Sequence, residues 1–153
     1  MRTRQWNISA RGITARRQSR LRLRSLAEPC GLDGTVALKL SSSFGGGMGR
    51  LREVCGAVSA MFMVAGLLRG YTSPTDRDGK AEHYAFIQSL AVRFKEKNGS
   101  IVCRELLSKS AGADSPAPDE RTAQYYKKRP CAELVGDAAE IIEEYLLKEE
   151  THC

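Results

Sequence analysis

The chain has 153 residues, 42% hydrophobic and 27% charged, with a formal net charge of +6, which suits one folded domain with a real core and excludes a low-complexity chain. The charge is uneven: residues 1–27 hold eight of the 24 basic residues, all arginine, and no acid, leaving 16 basic against 18 acidic residues elsewhere, a net of −2. The basic balance therefore belongs to the N-terminus alone, and nucleic-acid binding cannot be argued from the pI of the whole chain.

Residues 1–25 form an atypical Arg-rich segment, and residues 26–150 read as a single helical domain. The segment supports three readings: a transit peptide, a basic arm for RNA or DNA, or translation outside the native frame. Arginine in excess over lysine is what off-frame reading of GC-rich DNA yields. Shifting the codons of Gly12 to Arg20 by one position permits His-Asn-Cys-Ala-Gln-Ala-Val-Ala. The hypothesis is a frame disruption repaired near Ser25, with one cysteine lost. Sequencing the encoding DNA tests it, because codons unable to spell Asn-Cys in the other frame would end the idea.

From Glu28 to Gly34 the chain reads as a turn containing Cys30, with Asp33 capping a short helix that runs through Leu40. Ser41, Ser42 and Ser43 release it into a glycine-rich turn at Phe44–Arg50. Its glycines allow positive φ and close backbone approach. A P-loop is the poorer reading, since the Lys-Ser/Thr pair and a preceding strand are missing.

Small and apolar residues then run from Leu51 to Arg69 on all sides, which predicts a central helix buried by its neighbours. The apolar stretch Val54 to Leu68 is shorter than the about 20 residues that a bilayer span needs. A turn-rich loop, Gly70 to Gly79, leads to an amphipathic helix over Lys80–Lys97 that presents Tyr84, Ile87, Leu90, Ala91 and Phe94 on one face. Asn98-Gly99 ends it with a left-handed cap.

Ser100 is placed to cap a short helix carrying Cys103, Leu106 and Leu107. A polar loop from Ser108 continues exposed to Lys128. Pro130 suits the first position of a last helix, with Cys131 in its first turn and Leu134, Val135, Ala138, Ile142, Tyr145 and Leu146 on its apolar stripe. The acidic run Glu140, Glu143, Glu144, Glu149 and Glu150 reads as a solvated face and tail. His83 and His152 show no ligand spacing.

Five cysteines without a secretory signal point to a reducing compartment, here the cytoplasm, where thiols serve metals or redox chemistry more often than structural disulfides. Cys55, Cys103 and Cys131 each fall near a predicted helix N-terminus, whose unpaired N–H groups favour an anion and lower a thiol's pKa. The plainer reading makes each a small core residue. Cys30 and Cys153 remain incidental.

The run FGGGMGR, then Cys55-Gly56-Ala57-Val58-Ser59-Ala60, Cys103 in VCRELL and Cys131 in RPCAELV resembles the C-GCAxxG-C-C family of redox-active proteins, from about Leu26 to Leu147. Ala60 stands where the motif has glycine. The family's first cysteine, in an Asn-Cys-Ala-Gln setting, is missing here and is what the alternate frame restores. The resemblance implies a helical protein with redox-active cysteines.

The expected fold is all-α, a bundle of about five helices around the central one. The expected function is redox or electron transfer by Cys55, Cys103 and Cys131, as catalytic thiols or as ligands of an iron–sulfur cluster or other metal, with the cluster slightly favoured because the ligands come from several helices. The redox partner is unidentified, a homo-oligomer stays open, and no membrane span is expected. The alternative is a non-catalytic helical interaction module with core cysteines.

Overall fold

A computed structural model describes residues 31–108, 115–117, 120, 122–127 and 129–148. The Arg-rich segment, Cys30, Cys153 and the proposed frame change lie outside the described residues. Six α-helices are present among them: α1 Gly34–Ser41, α2 Gly56–Arg69, α3 Arg77–Asn98, α4 Cys103–Leu106, α5 Ala123–Lys127 and α6 Cys131–Lys148. The chain is all-α in these parts, with one isolated antiparallel bridge between Val54 and Val102. No helix among the described residues is long and apolar enough to cross a membrane.

Local chemistry sets most helix ends. Asp33 caps α1 by accepting hydrogen bonds from the N–H groups of Thr35 and Val36. Asp76 does the same for α3 through Gly79 N–H, so that helix begins three residues earlier than its apolar pattern suggests. Gly99, at φ 84°, ends it in the left-handed conformation expected of it. The serines after α1 tighten into a 3-10 turn, Ser42–Phe44.

The core is built where α2 packs on α6 and on α3, and α3 on α6. Val58, Met61, Val64 and Ala65 of α2 meet Leu90 and Phe94 of α3 and Leu134, Val135, Ala138, Ile141 and Ile142 of α6. Each large side chain so enclosed contributes about 1.5–3 kcal/mol, which lets these helices outweigh their ordering entropy. Lys97 pairs with Asp137 and Glu140, and Arg93 with Glu144, so α3 and α6 run antiparallel. The end of α3 therefore lies beside the start of α6, and the bridge at Val102 brings it to the start of α2.

Several expectations need correction. The central helix starts at Gly56, five residues later than Leu51, because Arg50 and Arg52 hold left-handed φ values and Val54 is extended to meet Val102. It is not enclosed on every side either, since Ala60, Met63 and Leu67 form a stripe that is only partly covered. Tyr84 is 52% exposed and turns away from the core face, stacking edge-on with Tyr71. Val102, not Ser100, precedes α4; the Ser100 hydroxyl accepts from Val102 N–H two residues on. The stretch that the sequence predicts to be an exposed loop as far as Lys128 contains the short helix α5. Glu140 and Glu144 are ion-pair partners of α3 as well as surface groups.

Candidate thiol site

The glycine turn is wound left-handed, with Gly46, Gly47, Met48, Gly49 and Arg50 all at φ between 57° and 76°. Such a run costs a non-glycine residue about 1–2 kcal/mol, so Met48 and Arg50 hold it only because their surroundings enforce it. Gly47 shows what is gained. A Cβ there would lie 2.6 Å from the Cβ of Cys103 and 3.1 Å from the Cα of Arg52, so only glycine lets the turn close over Cys103. The turn is a packing device, as the sequence suggests, and its target is a thiol.

The bridge then aligns two helix starts. Cys55 N–H donates to Ile101 C=O at 2.8 Å, and Cys103 N–H donates to Glu53 C=O at 2.6 Å, on either side of the Val54–Val102 pair. Cys55 is the N-cap of α2 and Cys103 the first residue of α4. In this register the two cysteines lie diagonally across the ladder on the same face. Pro130 C=O accepts the Leu134 N–H at 2.9 Å and opens α6 directly before Cys131.

None of the three is in a disulfide; Cys55 is 8% and Cys103 6% exposed, and Cys131 is half-buried. Burial pushes the Cys55 thiol from an ordinary 9.0 up to about 11; the N–H groups of Ala57 and Val58 oppose that rise, and the neighbouring thiols of Cys103 and Cys131 add to it. Cys55 is thus within electrostatic reach of both other thiols. The expectation that a helix N-terminus keeps its sulfur ionised fails at Cys55, because desolvation there outweighs the dipole.

Two polar residues complete the setting. Arg52, only 2% exposed, directs its guanidinium to the Cys103 sulfur at 3.8 Å. Ser59, one turn into α2, donates its N–H to Cys55 C=O at 2.9 Å and is itself buried. Neither could be singled out from pattern alone: Arg52 sits in an otherwise ordinary charged pair of residues, and Ser59 looks like a small helix-packing residue. Among the described residues no three His, Cys, Asp or Glu side chains form a group that could hold a metal ion. A four-thiolate iron–sulfur site would need a fourth ligand from outside the described residues.

A helical protein with cysteines at three helix starts, one of them closed over by a glycine-rich turn, is the class that fold and site define. The chain belongs to the family described as "Putative redox-active protein (C_GCAxxG_C_C)", which it matches over residues 19–145. No curated protein and no solved structure matches it.

Proposed function

We propose that the protein carries out thiol–disulfide redox chemistry, with Cys131 as the thiol that meets the partner and Cys55 as the buried thiol that resolves the intermediate. The observation that carries this reading is that the buried Cys55 feels the charge of both Cys103 and Cys131 while only Cys131 is partly open to solvent. Accessibility decides which thiol reacts first.

The oxidant is a disulfide of a partner protein or a low-molecular-weight thiol. The Cys131 thiolate attacks one sulfur of that disulfide, its S–S bond breaks, and one partner thiolate leaves and takes up a proton. Cys55 gives up its proton and attacks the Cys131 sulfur, releasing the second partner thiol. Two protein thiols are oxidised to one disulfide while the partner's disulfide is reduced to two thiols. The guanidinium of Arg52 places positive charge beside Cys103, which supports a role for that cysteine in holding negative charge near the exchange.

The test uses glutathione disulfide and peptide mapping without reduction. A Cys55–Cys131 linked peptide is expected in the wild-type chain, a stalled mixed disulfide on Cys131 in Cys55→Ser, and no reaction at Cys55 in Cys131→Ser. Anaerobically purified protein with visible absorbance that disappears in Cys55→Ala would instead restore the metal reading. Loss of stability on replacing Cys55 and Cys131, with no redox signal in the parent chain, would leave a helical interaction module.

A further inference from the structure

Ser59 is 6% exposed, and its Oγ is sealed from solvent with no hydrogen-bond partner among the described residues. A buried hydroxyl without a partner costs about 1–3 kcal/mol, so its persistence calls for a group that it serves in another state of the protein. The place of Ser59 in α2 says which group. It stands four residues after Cys55, its N–H bonded to the Cys55 carbonyl, so the two residues are one helical turn apart, and its hydroxyl makes no bond to the protonated Cys55 thiol.

We infer that Ser59 is a positioning residue for Cys55, its hydroxyl donating the hydrogen bond that holds the sulfur's negative charge when the thiol ionises to attack. The inference rests on the dithiol reading above and adds the device by which a buried thiol becomes usable. Burial disfavours the thiolate, and a fixed donor one turn away lowers the cost of forming it without opening the core to water. The titratable groups acting on Cys55 from the other elements are Cys103 at the start of α4 and Cys131 at the start of α6, both of which oppose its charge. The N–H groups of Ala57 and Val58 favour it, and the Ser59 hydroxyl is the side-chain donor that would join them.

The experiment follows alkylation of Cys55 by iodoacetamide in the full reduced chain, from about pH 7 to pH 12, by peptide mapping of the wild type, Ser59→Ala and Ser59→Thr. Loss of one charge-assisted hydrogen bond is expected to slow Cys55 about tenfold below the titration midpoint in Ser59→Ala and to move that midpoint about one pH unit higher. Cys131 should react at its wild-type rate. The urea midpoint should not fall, because an unpaired hydroxyl is being removed, and Ser59→Thr should recover most of the rate. Thiolate ultraviolet absorbance in a background with Cys30, Cys103, Cys131 and Cys153 all replaced by serine, taken as the difference from the same background carrying Cys55→Ser, reads the Ser59-dependent shift without depending on reagent access. Equal Cys55 rates in wild type and Ser59→Ala, or equal slowing of Cys55 and Cys131, would overturn the assignment. If Cys55 responds to Ser59 as expected but never links to Cys131, the disulfide cycle fails and the Ser59 assignment stands. If the linked peptide forms and Cys55 ignores Ser59, the reverse holds.

Discussion

The thiol end of the molecule and the outer flank of α3 and α6 hold their charges in opposite ways. On the flank, Arg93, Lys97, Asp137, Glu140 and Glu144 meet as ion pairs open to water, with Arg93 also over the Tyr145 ring at 5.7 Å. At the thiol end Arg52 is buried against a sulfur, Ser59 is sealed off, and the backbone is forced through a left-handed run. Water screens the first arrangement and makes each pair worth little, whereas exclusion of water makes every polar group at the second consequential. Strain and enclosure concentrate where the chemistry is proposed.

The sharpest way to break that contrast is Gly47→Ala. Its Cβ would collide with Cys103 and sit at φ 72°, so a loss of about 3 kcal/mol or more is expected in urea unfolding, with faster alkylation of Cys103 as the turn lifts away. A variant as stable as the wild type would mean that the turn does not clamp the thiol.

The next effect is a pH dependence. Because the folded Cys55 pKa lies above its ordinary 9.0, at about 11, the unfolded chain releases this proton first as pH rises. The contribution is fully present below pH 9 and is lost between 9 and about 11, by roughly 2–3 kcal/mol. Comparing the wild type with Cys55→Ala over that range isolates it from the lysines and tyrosines that titrate there too. Parallel stability curves would show that Cys55 is not held protonated by burial.

Arg93→Ala should give the smallest change, a loss of up to about 1 kcal/mol in low salt that shrinks as salt is added. A large, salt-insensitive loss would erase the distinction between the two regions.

Capping chemistry made much of the fold legible. Asp33, Gly99 and Pro130 mark helix ends through bonds with near neighbours in sequence, and the apolar stripe Leu134, Val135, Ala138 and Ile142 falls on the core side of α6 as spacing predicts. The start of α2 was not legible, because Leu51 and Val54 suit a helix locally and are drawn out of it by a partner at Val102, 48 residues away. For the same reason Tyr84 fits the apolar pattern of α3 yet faces outward to Tyr71.

The sequence by itself determined that the described chain is helical, that its cysteines stand at helix starts, and that it carries the motif of its family, since these follow from composition and short-range spacing. Only the tertiary structure decided that Gly47 closes on Cys103, that Arg52 faces the same sulfur, and that burial pushes the Cys55 thiol above its ordinary range. Those outcomes depend on how far water is excluded and on which distant segments meet, and neither is a property of any local stretch of sequence.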